Sequence, residues 1–341
     1  MNDSALAPQL AVARFVEKAA GARAVHVERF ERMAGGAIQH NYALDARVEG
    51  GAHEGRHRWV VRADAPSGVA VSRTRAEEFA ILRAAHAARV KAPRPLWLCE
   101  EPGAPSFFVM ERVEGIAAGH RLVKDDALVP DRPRLAAELG ENLARLHLLK
   151  PPFAGLEFLG EAAADPASER IAAYRGCLDE LGEAGALPVV EWGLRWCERN
   201  PSAPARAVLV HRDYRTGNYL VDGGHLAAVL DWEFAGLGDP LEDLGWFLAR
   251  CWRFGRVDRE AGGIGPAHDF LAGYHRIGGR AVTFEETRFW QVMAHVRWAI
   301  IAMQQAERHR RHGETSFELA LTAHVVPDLE WEILALTGAR A

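Results

Sequence analysis

Apolar positions along this chain follow two periods. Near the centre they come in short runs: Ala207-Val208-Leu209-Val210, Tyr219-Leu220-Val221 and Leu226-Ala227-Ala228-Val229-Leu230. These read as strands, with Asp222-Gly223-Gly224 as a tight turn between the last two. His57 to Arg62 reads as the third strand of the N-terminal part, and Pro105 to Gly115 as a buried strand running into a loop. Elsewhere the period is helical. Phe79, Leu82 and Ala85 predict a helix over Thr74 to Ala88; Leu135, Leu139, Leu143 and Leu146 predict one over Arg132 to His147. Phe289, Val292, Val296 and Ile300 predict a long helix over Thr287 to Ala306, its stripe a core face. Asp3, Arg14, Glu17 and Lys18 lie in an amphipathic N-terminal helix. Asp239-Pro240-Leu241-Glu242 reads as a helix start, with Asp as cap, Pro in the first turn and Glu reaching back. Gly50-Gly51 and Gly262-Gly263-Ile264-Gly265 read as loops.

The ends of the central strands carry the chemistry. His211-Arg212-Asp213-Tyr214-Arg215-Thr216-Gly217-Asn218 follows the first, and Asp231-Trp232-Glu233 follows the third. Tight turns between short strands bring a base and two metal ligands to one point. Phosphoryl transfer from ATP needs such a set, because it is mostly positioning and charge neutralisation around magnesium. Mg²⁺ prefers oxygen ligands, which suits Asp231 and Asn218. Asp213 is left to orient or accept the proton of an attacking hydroxyl. Arg215 is placed to meet the charge of the transferring group, and His211 to hold the loop by hydrogen bonding. A hairpin whose polar residues face water is the bland alternative, and a lone H-x-D would deserve it.

His211-x-Asp213-x-x-x-x-Asn218, followed by Asp231-Trp232-Glu233-Phe234-Ala235-Gly236-Leu237-Gly238-Asp239-Pro240-Leu241-Glu242-Asp243-Leu244, resembles the aminoglycoside phosphotransferase family. It is most similar to the branch related to kinase-like domains fused to acyl-CoA dehydrogenases. The D-F-G and A-P-E of protein kinases are missing. The resemblance implies an α+β, two-lobed protein-kinase-like fold: a small antiparallel-sheet lobe over residues 1–113 and a larger, mainly helical lobe over 114–341. It implies that Gly35, Gly36 and Ala37 cover the ATP phosphates, on a turn whose glycines allow close backbone approach. It also implies that Arg62 stands where a phosphate-binding Lys is usual, that Glu78 orients it, and that Met110, Glu111 and Val113 form the adenine-binding hinge. Arg can grip phosphate in two-pronged fashion, though with a geometry unlike that of Lys.

Composition narrows the class. With 341 residues, 49% of them hydrophobic, the chain can bury a large core of two lobes. A net charge of −5 gives no basic bias towards nucleic acid. Cys99, Cys177, Cys197 and Cys251 lack C-x-x-C spacing and read as reduced thiols of a cytoplasmic protein. No secretory signal or membrane-spanning run is apparent. The expected partner is a small-molecule hydroxyl acceptor, with the protein a monomer or homodimer. Its pocket falls to residues 125–200 and 250–312. Arg250, Arg253, Arg256 and Arg259, then Arg308 to His312, read either as a solvated face or as a pocket for an anionic or CoA-linked hydroxy compound. Trp246, Phe247, Trp252 and Phe254 are either its apolar wall or core. An aminoglycoside or macrolide kinase, a nucleotide-binding pseudokinase and a metal hydrolase remain as alternatives; the last lacks further ligands at metal spacing.

Overall fold

In a computed structural model, residues 3–33, 40–64, 72–101, 106–203, 205–311 and 316–338 are described. Contacts divide the chain into two compact units. Among the described residues, no helix is long and apolar enough to cross a membrane.

The first unit comprises Met1–Glu114, Ala154–Phe158 and Ala227–Ala235. Helix α1 (Asp3–Ala20) precedes strands β1 (Ala24–Arg32), β2 (His40–Glu49) and β3 (Gly55–Ala63). Helix α2 (Arg75–Ala87) then leads to β4 (Pro95–Cys99) and β5 (Phe107–Glu111). The sheet order is β1-β2-β3-β5-β4, antiparallel throughout. Period-two alternation assigns its faces. Leu44, Ala46, Val48, Trp59, Val61, Phe107 and Val109 cluster with Val12 and Val16 of α1. The residues between them, Val60, Arg62 and Phe108, therefore point the other way, and Phe108 meets Phe79 of α2 at 5.8 Å between ring centroids. Helix α2 begins with a capping box: Thr74 Oγ1 accepts the Glu77 amide, and the Glu77 carboxylate accepts the Thr74 amide. Glu78 is next in the chain and faces inward, with Phe79 and Leu82, at 2% exposure.

The second unit comprises Gly115–Phe153, Leu159–Leu226 and Gly236–Ala341. Its helices are α3 (Gly119–Lys124), α4 (Arg132–His147), α5 (Pro166–Leu181), α6 (Pro188–Arg199), α7 (Pro240–Leu248), α8 (Ala267–Arg276), α9 (Arg288–Arg311), α10 (Phe317–Thr322) and α11 (Val326–Leu336). The four leucines of the α4 stripe are all buried, and burial of each stabilises by about 1.5–3 kcal/mol. Gly140 lets α4 meet α8, because a Cβ there would lie 2.0 Å from the Phe270 carbonyl oxygen. β6 (Val208–Val210) pairs antiparallel with β9 (Gly236–Gly238). β7 (Tyr219–Asp222) turns through Gly223 and Gly224 into β8 (His225–Val229), along which the chain passes into the first unit.

Two sequence expectations change here. The long helix runs on to Arg311 rather than ending at Ala306, because Glu307 to Arg311 are helix-compatible and the first glycine is Gly313. Asp239 does cap α7 and accepts the Leu241 amide at 2.8 Å. Glu242, however, turns to Arg170 and Arg212 instead of reaching back.

Candidate active site

In the second unit, the loop leaving β6 is held from below by α7. Asp243 is fully buried and accepts the His211 amide at 2.6 Å, the Arg212 amide at 2.7 Å and His147 Nε2 at 3.1 Å. Burial pushes its pKa up, but the His147 hydrogen bond and charge, with the His211 amide, outweigh that and hold it below its ordinary value. Arg212 adopts φ +63°, a left-handed conformation rare for a side chain of its size and often found where backbone strain serves a site. The turn it makes delivers Asp213. His211 is buried, and its Nδ1 accepts the Asp213 amide at 3.2 Å, so it shapes the loop.

Asp213 is held on both oxygens. Oδ1 accepts from Arg215 Nε at 3.2 Å and from Trp246 Nε1 at 3.1 Å. Oδ2 accepts from Asn218 Nδ2, which also donates to the Asp213 carbonyl at 3.1 Å. With its nitrogen committed to Asp213, the side-chain oxygen of Asn218 is the atom that could hold a metal ion. The Arg215 guanidinium lies 4.6 Å from the Trp252 ring centroid, a cation–π arrangement that fixes its direction. Downstream, Thr216 donates to the Gly262 carbonyl at 2.7 Å.

In the first unit, Arg62 is the hub. It is 4% exposed, and its Nε lies 2.8 Å from Glu78 Oε1. Nη1 lies 3.2 Å from Asp231 Oδ1, and Nη2 3.8 Å from Glu233 Oε2. Nη2 has no hydrogen-bond partner among the described residues. Burial alone would pull the pKa of Arg62 down; the charges of Glu78, Asp231 and Glu233 more than offset this and the net shift is upward. Glu78 is shared with Arg75, which is itself buried and bonds Asp64 at 3.0 Å. Asp231 sits at φ +59° with its side chain 33% exposed. The turn around it is tied by Trp232, whose indole donates to the Val229 carbonyl at 3.0 Å, and by Arg73, whose amide donates to the Glu233 carbonyl at 2.8 Å.

At the hinge segment, Met110 is half-buried and Glu111 exposed. The Glu111 amide already donates to the Arg94 carbonyl at 2.9 Å, and that of Arg112 to Arg58 at 3.1 Å. Gly35, Gly36 and Ala37 lie outside the described residues.

Sequence reasoning gave no site role to Asp243, Arg75 or Glu233, and offered Trp246 only as pocket wall or core, not as a donor to Asp213. The signal for Glu233 was its place two residues after Asp231; the others had none. The arginines offered for a basic pocket are tied locally. Arg250 pairs with Glu332, Arg256 pairs with Asp258, Arg253 donates to the Leu248 and Val257 carbonyls, and Arg259 donates to that of Val123. Trp246, Phe247 and Trp252 are buried, and Phe254 is exposed.

A model of the phosphotransferase enzyme family matches residues 29–277, and the chain belongs to this family. The class so defined is that of phosphotransferases, and the fold is the protein-kinase-like one. Among solved structures, a putative aminoglycoside phosphotransferase from Ralstonia eutropha aligns over 97% of this chain and 98% of its own, at 18% identity and TM-score 0.75. A thermostable mutant of an aminoglycoside phosphotransferase, in ternary complex with AMP-PNP and hygromycin B, aligns over 97% and 99%, at 15% identity and TM-score 0.64. In sequence, acyl-CoA dehydrogenase family member 11 of Pongo abelii is 24% identical over 74% of this chain. The matched stretch spans 34% of that protein.

Proposed function

We propose that this phosphotransferase moves the γ-phosphoryl group of ATP to a hydroxyl of a small molecule, in a magnesium-dependent reaction. What supports this most is the Asp213 carboxylate, held on one side by Arg215 and Trp246 and on the other by Asn218. Asp213 orients the acceptor hydroxyl and takes its proton as the new O–P bond forms. The bond between the γ-phosphorus and its bridging oxygen breaks, and ADP leaves. Arg215 offsets charge on the transferring group. Asn218, with its oxygen left over, and Asp231, a half-exposed carboxylate, are hard oxygen donors that suit Mg²⁺. When bound, the ion supplies neutralisation of the phosphate charge.

Residues 1–113 serve as the nucleotide lobe, and 114–341 as the catalytic and acceptor lobe. Nη2 of Arg62, which faces Glu233 but makes no hydrogen bond among the described residues, donates to a phosphate oxygen, while Glu78 fixes the guanidinium plane. The Glu111 carbonyl and the Val113 amide bind the adenine edge beside Met110, and Gly35, Gly36 and Ala37 cover the phosphates. The relatives in sequence favour a CoA-linked or otherwise anionic hydroxy compound as acceptor; the structural neighbours keep an aminoglycoside or macrolide as the alternative. A nucleotide-binding pseudokinase is the second reading, because Arg62 replaces the usual Lys and bonds Asp231. The protein works in the cytoplasm as a monomer or homodimer.

The test is a phosphoryl-transfer screen of hydroxylated metabolites, acyl-CoA derivatives and antibiotics, beside nucleotide binding by Asp231→Ala. Transfer to an acceptor, with magnesium-dependent nucleotide binding abolished in the variant, is expected. Binding left intact in the variant refutes the role of Asp231, and binding without transfer to any acceptor favours the pseudokinase.

A further inference from the structure

Asp243 holds the catalytic loop, and two further buried residues hold Asp243. They are His147, the last residue of α4, and Tyr274 of α8. His147 Nε2 lies 3.1 Å from Asp243 Oδ2, and His147 Nδ1 lies 2.9 Å from the Tyr274 hydroxyl. The two rings meet edge to face, at 5.6 Å between centroids and 72° between planes. A chain of hydrogen bonds therefore runs from Tyr274 through His147 to Asp243 and ends on the His211 and Arg212 amides. It joins α8, α4 and α7 to the two residues before Asp213. Neither Tyr274 nor His147 has a part in the chemistry proposed above.

What each acceptor can do sets the direction of each bond. Asp243 takes two backbone amides and is held ionised, so its carboxylate only accepts. His147 Nε2 must then donate. A neutral imidazole with its proton on Nε2 carries a lone pair on Nδ1, and the Tyr274 hydroxyl donates to it. Burial pushes the Tyr274 pKa up and the charge of Asp243 adds to this, so the phenol keeps its proton. The Tyr274 bond thus selects the tautomer that aims a proton at Asp243. Close packing fixes where that hydroxyl sits. A Cβ at Gly273 would lie 2.1 Å from the Ala137 carbonyl oxygen, and one at Gly279 would lie 2.4 Å from Tyr274 Cε1. Helices α4 and α8 therefore meet backbone to backbone, and the chain after α8 closes on the Tyr274 ring. Such packing leaves the ring little room to turn. Helix α4 also takes the loop directly on the other side of Asp213, where the Tyr214 hydroxyl donates to the Leu139 carbonyl at 2.8 Å.

We propose that Tyr274 and His147 are positioning residues for the Asp213 carboxylate, acting through Asp243. The His147 bond turns Asp243 so that Oδ2 meets the His211 amide and Oδ1 the Arg212 amide. The second of these bonds restrains Arg212 in the left-handed turn that delivers Asp213. Without the His147 donor the carboxylate is held by the amides alone, and the turn loses a restraint. The pair then contributes to the transfer step rather than to nucleotide affinity, because the chain of bonds ends on the loop backbone. That kinetic consequence rests on the kinase reading above; the hold on the loop does not.

Two readouts on the full chain test this. Hydrogen exchange is followed at the His211 and Arg212 amides, with the amides of α9 as the control for global stability. Turnover is followed with ATP and an acceptor found in the screen, and KM for MgATP is measured beside it. Tyr274→Phe removes only the hydroxyl, His147→Leu removes the donor to Asp243, and His147→Gln puts a donor back. Exchange at His211 and Arg212 is expected to quicken by about tenfold or more in His147→Leu, less in Tyr274→Phe and least in His147→Gln, with α9 unchanged. The fall in kcat should follow the same order, again about tenfold in His147→Leu, while KM for MgATP stays within about twofold. Exchange that quickens equally throughout the chain makes the pair ordinary core and overturns the proposal. So does wild-type exchange at both amides in His147→Leu and Tyr274→Phe. Because exchange is read without turnover, the hold on the loop is judged even if no acceptor is used. The kinase reading fails separately, if Asp213→Asn leaves transfer to a used acceptor unchanged.

Discussion

The surroundings of Asp213 and of Arg62 are built on different physics. Around Asp213 the scaffold is mostly hydrogen-bonded: one buried carboxylate, Asp243, takes two backbone amides, His211 takes a third, and an indole and an amide side chain steady the working group. Around Arg62 the scaffold is charge on charge: Glu78 bridges two buried guanidiniums, and Asp231 and Glu233 add their own fields. The first arrangement fixes a position. The second balances charges. Arg rather than Lys suits the second setting, because a planar fork can face several carboxylates at once where an ammonium is a single point of charge.

The contrast can be broken most severely at Glu78. Glu78→Ala leaves Arg62 and Arg75 buried without their shared partner. Removing one member of a buried ion pair typically costs about 3–5 kcal/mol. Urea unfolding should show a loss of that order together with weakened nucleotide binding; a variant as stable as wild type would mean that the charges are compensated elsewhere.

Mild acid should find a weak point in the second unit. His295 is fully buried and its Nδ1 bonds the Gln291 carbonyl at 2.7 Å. Burial lowers its pKa to about 4; the Gln291 bond opposes this, and Arg253 and Arg250 add to the lowering. The folded value lies below the 6.5 of an ordinary histidine. The unfolded chain therefore binds the extra proton first. This contribution to stability is present above pH 6.5 and is lost as pH falls towards about 4. Denaturation midpoints of wild type and His295→Gln, measured at pH 7 and pH 5, should show a larger acid loss in wild type. Parallel pH responses would remove His295 as the cause.

A smaller effect separates positioning from stability. Trp246→Phe keeps a ring beneath Arg297 but deletes one of the two donors to Asp213 Oδ1. A hydrogen bond to a charged group contributes about 1.5–3 kcal/mol, so turnover should fall by about tenfold or more with little change in KM for ATP. If the rate holds while the melting temperature drops, Trp246 is only core.

Local pattern made much of this legible. The stripe Leu135, Leu139, Leu143, Leu146 matched α4, and the turn at Gly223-Gly224 separated β7 from β8. The protein-kinase-like fold was legible only through the family resemblance that His211, Asp213, Asn218 and Asp231 carry. What was hidden depends on residues far apart in the chain. Nothing in the spacing ties Asp243 to the His211 amide, Trp246 to Asp213, or Arg170 and Arg212 to Glu242. Such contacts are set by how helices pack, and periodicity reports which face is buried without saying what it meets. The same limit explains Glu242, whose local role as a capping partner lost to two distant guanidiniums. It bears on Arg250 and Arg259 too: they read as part of a solvated face or of a pocket, and Glu332 and the Val123 carbonyl, distant in the chain, hold them.

The most direct measurement is on Asp213→Asn, with phosphorylated product followed by mass spectrometry and MgATP affinity by calorimetry. General-base help typically contributes 10²–10⁴-fold, so product formation should fall by about that factor while nucleotide affinity stays within about twofold. A variant that phosphorylates its acceptor at the wild-type rate contradicts the account.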